Sequence, residues 1–217
     1  MEIGRRTPKD YFWVIGWGES DVGIEIGSYD AALTMAGIEN FNVMLYTSVL
    51  SPEAIELPHL PDIHYGSVLE GIIAVQHTDP PATRITAGPL LTRVLRKSDE
   101  SYSGGFACEY AGNGSIEEAE ANLREAMQQL FARLYQTRFY EREFRKSLVR
   151  THTPEKSFGT IVVGVGFASY LVPGPILYPF ELSLHDGAKM ELQKLRNPHG
   201  QLVIDGGYQN HGPASDL

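Results

Sequence analysis

Residues 27–50 read Gly-Ser-Tyr-Asp-Ala-Ala-Leu-Thr-Met-Ala-Gly-Ile-Glu-Asn-Phe-Asn-Val-Met-Leu-Tyr-Thr-Ser-Val-Leu. Ser28 is a good N-cap for a helix over Ala31–Ala36, because its hydroxyl can satisfy an N–H that the first turn leaves unpaired. Tyr29, Leu33 and Ala36 are spaced to share one face of that helix. Gly37 suits the left-handed conformation that stops a helix. Phe41–Tyr46 then alternates as a strand does and runs straight into Thr47-Ser48. A short helix that hands its chain directly to a strand implies a fold in which the two layers pack on each other.

Before this stretch, Tyr11–Ile15 is an apolar run ending in glycines, which predicts a first strand. After it, Pro52, Pro58 and Pro61 mark an irregular connection. Strands are expected at Gly71–Gln76, Arg84–Ala87, Leu90–Leu95 and Gly105–Tyr110. Ser115-Ile116-Glu117-Glu118 is a capping box. It opens a second helix whose apolar stripe runs through Ile116, Ala119, Leu123, Ala126, Met127, Leu130, Phe131 and Leu134. The charged stretch Arg138–Arg150 reads either as an extension of that helix or as a surface loop. Thr160–Phe167, rich in β-branched residues, predicts a last strand. Residues 171–217 are rich in Gly and Pro and read as a C-terminal extension draped over the core. Strands outnumber helices and the helices are isolated crossovers, so the expected class is an α+β layered sandwich forming a single domain, 1–217.

A chain of 217 residues with 42% apolar and 21% charged residues suits a soluble globular domain. Its single cysteine, Cys108, excludes an intramolecular disulfide framework and suits a reducing compartment. A net charge of −9 argues against a nucleic-acid partner, which wants a basic face. Met1–Gly18 holds no uninterrupted apolar stretch behind its basic residues, so no signal peptide is expected. Residues 158–180 are uncharged, but Gly159, Gly164, Gly166, Pro173, Pro175 and Pro179 are incompatible with a spanning helix. The expected location is cytoplasmic, without membrane contact.

The motifs of several chemistries are missing. Seven histidines are scattered, with no helical pair flanking an acid, so no metal site is expected. Gly164-Val165-Gly166 lacks the third glycine of a dinucleotide fingerprint. No phosphate-binding loop and no Gly-x-Ser-x-Gly elbow occurs. Cys108 has no identifiable histidine partner and reads as packing.

Two segments carry a resemblance. The first is Tyr29-Asp30-Ala31-Ala32-Leu33, continuing Ala36-Gly37-Ile38-Glu39-Asn40-Phe41-Asn42-Val43 into Tyr46-Thr47-Ser48-Val49-Leu50 and Pro52-Glu53-Ala54. The second is Gly104-Gly105-Phe106-Ala107-Cys108-Glu109-Tyr110-Ala111-Gly112, followed by Glu117–Glu120. Their order and spacing resemble the pyruvoyl-dependent arginine decarboxylases, and the likeness continues through Thr151–Lys156 over roughly the first three-quarters of the chain. It implies a four-layer α/β/β/α sandwich of the pyruvoyl-dependent histidine/arginine decarboxylase type. It also implies self-cleavage into 1–47 and 48–217 and assembly as trimers or paired trimers with sites between subunits.

The roles follow residue by residue from the resemblance. Ser48 would attack the Thr47 carbonyl, and elimination and hydrolysis would leave a covalent pyruvoyl group, with no pyridoxal phosphate and no metal. Many relatives carry serine where Thr47 stands, a mild departure because only that residue's carbonyl reacts. The pyruvoyl carbonyl would condense with the substrate α-amine, and the adjacent amide carbonyl would act as electron sink when carbon dioxide leaves. Glu109 matches the proton donor and Asp30 the carboxylate that holds the substrate's basic end, which for arginine can be a bidentate contact. Leu33 and Val49 would line the pocket, and Asn42 would polarise the attacked carbonyl or orient the product. Without the resemblance, Thr-Ser reads as a strand end, Glu109 as a solvated strand residue and Asp30 as a helix-dipole partner. The expected reaction is arginine to agmatine and carbon dioxide. Lysine or ornithine as substrate, or a non-processing homologue acting in assembly, are the alternatives.

Overall fold

The computed structural model describes residues 6–132 and 139–172. In chain order its strands are β1 (Thr7–Pro8), β2 (Asp10–Ser20), β3 (Asn42–Leu45), β4 (Val49–Leu50), β5 (Ile55–Glu56), β6 (Val68–Thr78), β7 (Ile85–Arg96), β8 (Tyr102–Gly112), β9 (Phe139–Ser147), β10 (Arg150–His152), β11 (Phe158–Phe167) and β12 (Tyr170–Leu171). The α-helices are α1 (Asp30–Ala36) and α2 (Ile116–Leu130). The fold is thus mixed and mostly strand. One sheet has the order β3-β6-β11-β2-β5 and the other β10-β7-β8-β4, with β9 also paired to β7; β1 and β12 form a small ribbon.

Side-chain alternation gives each sheet two distinct faces. On the first sheet, Phe12, Val14, Leu69, Ile73 and Val162 pack against Ala32 and Leu33 of α1. Its other face turns to the second sheet, where Tyr11, Ile72, Val165 and Phe167 meet Leu50, Leu91 and Ala107. The far face of the second sheet packs Leu90, Val94 and Phe106 against Ala119, Leu123 and Met127 of α2. A helix of seven residues is too short to be stable alone, so packing decides where α1 sits. Gly16 and Gly18 of β2 permit that packing: a Cβ on Gly16 would strike the Ala32 carbonyl, and one on Gly18 the Ala31 Cβ, the Ala32 backbone nitrogen and the Ser28 carbonyl.

Several expectations hold. The capping box is formed in both directions between Ser115 and Glu118, and Gly37 closes α1 in the left-handed conformation at φ 71°. Others need correction. Ser28 is not the N-cap; it lies in an irregular helical turn, Ile24–Tyr29, that precedes α1. Its hydroxyl bonds Thr160 Oγ1 at 2.8 Å instead, because this turn already leads the backbone into α1. Arg84–Ala87 and Leu90–Leu95 are parts of one strand, β7. The described part of the stretch Arg138–Arg150 supplies β9 and the first residue of β10 rather than helix or loop, because β7 presents an edge whose backbone groups require partners. Apart from Leu171 and Val172, the expected C-terminal extension lies outside the described residues, as does Leu134.

Candidate active site

The segment Tyr46–Ser48 crosses from one sheet to the other. On the first sheet, the Tyr46 N–H donates to the Gly71 carbonyl at 2.7 Å. On the second, the Ser48 carbonyl accepts from the Ala107 N–H at 2.8 Å. Between these anchors, the Val49 N–H donates to the Thr47 carbonyl at 3.0 Å, a tight turn with Ser48 at its centre. The carbonyl beside the Ser48 hydroxyl is therefore polarised by a backbone donor. That donor is oriented to stabilise negative charge on the oxygen if the carbon is attacked.

β4 pairs with β8 through Val49 opposite Phe106 and Leu50 opposite Gly105. Carried back one residue along the Ala107–Ser48 hydrogen bond, this register sets Ser48 opposite Ala107. Ala107 faces the space between the sheets, whereas Phe106, Cys108 and Tyr110 face α2. Alternation puts Glu109 on the same side as Ala107, diagonal to Ser48 and about 7–8 Å away on the backbone. Glu109 keeps an exposed edge, yet the protein atoms around it displace enough water to push its carboxyl pKa up. The Cys108 thiol is pushed up as well, by burial and then by the nearby Glu109 charge, which argues against a reactive thiolate.

The remaining predicted residues lie elsewhere in the chain. Asp30 is exposed at the start of α1. Because α1 covers the first sheet's outer face, that sheet stands between Asp30 and the Ser48–Glu109 pair. Leu33 is buried in the cluster beneath α1. Asn42 begins β3, where its amide donates to the Gly66 carbonyl at 2.9 Å. Four residues, Val43–Tyr46, stand between it and Thr47, a reach of at most roughly 16 Å of extended chain. Val49 is 58% exposed on the edge strand β4.

One group escaped the sequence reading. Glu70, near the start of β6, is only 3% exposed and pairs with Arg6. The Tyr46 hydroxyl lies near both Glu70 and Arg6. Arg6 also lies over the Tyr170 ring, 4.9 Å from its centroid. The Tyr170 hydroxyl is buried beside Glu70 without a well-formed hydrogen bond. An acid interrupting the apolar run Val68–Val75 was the available signal.

Comparison with known proteins matches residues 10–171 to the family model for pyruvoyl-dependent arginine decarboxylase. A pyruvoyl-dependent arginine decarboxylase of Methanocaldococcus jannaschii is 31% identical over 140 residues, covering 64% of this chain and 79% of the relative. That of Thermococcus kodakarensis is 30% identical over 125 residues, covering 58% and 75%. That of Chlamydia abortus is 36% identical over 141 residues, covering 57% and 72%.

Proposed function

Since the chain belongs to the pyruvoyl-dependent arginine decarboxylase family, and so is a carboxy-lyase, we propose that it cuts itself between Thr47 and Ser48 and converts L-arginine to agmatine. What supports this most is the turn at Ser48, with the Thr47 carbonyl held by the Val49 N–H. In the first step the Ser48 hydroxyl oxygen bonds to the Thr47 carbonyl carbon and the Thr47–Ser48 C–N bond breaks. The hydroxyl proton goes to the new amine. Elimination then gives up the Ser48 α-proton to solvent and breaks the Cβ–O bond, releasing the Thr47 carboxylate, and one water converts the remaining dehydroalanine to a pyruvoyl group and ammonia. The residues around Ser48 fit such a group, since its position faces the gap between the sheets beside a carboxyl.

Once formed, the pyruvoyl group supplies the electron sink for loss of carbon dioxide. Glu109 holds the proton that replaces the departing carboxyl group, and its raised pKa keeps that proton on at a higher pH than an ordinary carboxylate would. Asp30 binds the cationic end of the substrate, and Val49 and Leu33 shape the apolar wall; Asn42 serves processing or orientation. Within one chain Asp30 lies across a sheet from Ser48. This separation supports a homo-oligomer, a trimer or paired trimers, in which one copy's Asp30 serves another copy's Ser48. The order α1, first sheet, second sheet, α2 supports the four-layer arrangement, with 1–217 a single decarboxylase domain.

The test is an intact mass under denaturing conditions together with a substrate panel. Two chains, the larger lighter by one ammonia than plain hydrolysis gives, and agmatine from arginine are expected. An uncut chain without activity would instead favour a non-processing assembly protein. Turnover of lysine or ornithine in preference to arginine would change the substrate and leave the chemistry in place.

A further inference from the structure

A buried carboxylate within a strand needs a reason, because removing its water costs several kcal/mol unless partners replace it. Glu70 has such partners, and they gather at one place. Arg6 comes from just before β1, Tyr170 from β12 and Tyr46 from the segment that crosses between the sheets. Tyr46 is the residue before Thr47. Its ring packs against Phe167, 5.9 Å between centroids, while its hydroxyl lies beside the Glu70–Arg6 pair. Burial and then Glu70 hold that hydroxyl above its ordinary pKa, so it stays protonated and available as a donor to the carboxylate. The backbone tie from Tyr46 to Gly71 fixes the same residue from the other side. The carbonyl that Ser48 would attack therefore follows immediately after a residue held at its backbone and its ring face, with its hydroxyl beside the buried ion pair.

Resting on the self-cleavage reading above, we propose that Glu70 is a positioning residue for chain cleavage, acting through the Tyr46 hydroxyl to hold the Thr47 carbonyl in reach of the Ser48 hydroxyl. Glu70 does not touch the reacting atoms. Its effect is geometric: intramolecular attack depends steeply on the approach of oxygen to carbon, and a displacement of about 1 Å can cost roughly a hundredfold in rate. Arg6 is the pair's open side, with 44% of its side chain exposed. Losing the Glu70 charge therefore leaves a cation that water can reach, and the fold should tolerate the isosteric amide.

The experiment follows chain cutting in freshly made full-length protein for the native sequence, Glu70→Gln, Tyr46→Phe and a control, Ile73→Val. Ile73 lies on the opposite face of the same sheet, packed under α1. Cutting slowed at least tenfold in Glu70→Gln and Tyr46→Phe, with melting temperatures no lower than that of the control, is expected. The control should melt lower and still cut at the native rate. Hydroxylamine, which releases an accumulated ester, should free no second chain from the slow variants, because their block lies before the ester forms. Native-rate cutting in Glu70→Gln would overturn the proposal. So would prompt release by hydroxylamine, since the acyl shift would then have occurred unaided. Slow cutting that merely tracks the loss of melting temperature, in the control as in the variants, would reduce the cluster to structural support and also overturn it. If the native chain itself is never cut and yields nothing to hydroxylamine, the self-cleavage reading falls, and this inference with it.

Discussion

At Ser48 and Glu109 the proposed chemistry rests on single atoms. Ser48→Ala keeps the turn and removes the only oxygen that can attack the Thr47 carbonyl, so one uncut chain should be seen by denaturing mass measurement. Glu109→Gln should cut normally but lose turnover by about 10²–10⁴-fold, as deletion of a general acid does; near-native turnover would remove Glu109 from the donor role. The raised pKa fixes the sign of two pH effects. A carboxyl whose folded pKa exceeds its unfolded one binds its proton more tightly in the native state. The stability it contributes is full at low pH and falls as pH rises from the ordinary carboxylate value through the raised one. Glu109→Gln should therefore withstand urea better than the native protein above that window and match it below. Turnover of the native enzyme should decline on the alkaline side as the acid form is lost. None of this was legible from Thr47-Ser48 or Glu109 as isolated residues, because a hydroxyl or a carboxyl on a strand carries no spacing signature. Their flanking patterns pointed to them through the family likeness.

The elements differ in how openly the sequence declares them. α2 was readable because capping and apolar spacing agree, and its buried residues Ala119, Leu123, Met127 and Phe131 fall on the expected stripe. β9 and β10 were not, since mixed aromatic and charged residues have no clear period; what makes them strands is the free edge of β7, a tertiary demand. α1 lies between these cases. Its C-terminal end followed from Gly37, but its support comes from Gly16 and Gly18, far off in β2. Gly16→Ala should push α1 outward at a cost of about 1–3 kcal/mol. Because Asp30 travels with the helix, KM for arginine should rise more than kcat falls; an unchanged KM would separate Asp30 from substrate binding. Ser115→Ala, which removes the cap of α2 on the far face of the second sheet, should cost about 0.5–2 kcal/mol in urea unfolding and leave KM alone.

For the whole molecule, the proposed cut divides the strands unevenly. β1, β2, α1 and β3 stay with residues 1–47 and everything later goes with the larger piece. β2 runs between β11 and β5, and both of those neighbours belong to the other piece. The small fragment is thus laid into the interior of a sheet whose remaining strands come from elsewhere. Native mass measurement should find the two pieces inseparable at high dilution until denaturant is added. Folding before scission is unimolecular, with the chain itself supplying a high effective concentration of the missing strand. After scission that tether is gone. Folding of the protomer from denaturant should then become second order, faster with added fragment 1–47, whereas uncut Ser48→Ala should regain its protomer secondary structure at a rate independent of dilution. The mature enzyme would in that sense be assembled once, from a single chain, and thereafter behave as a complex that remembers a covalent link it no longer has.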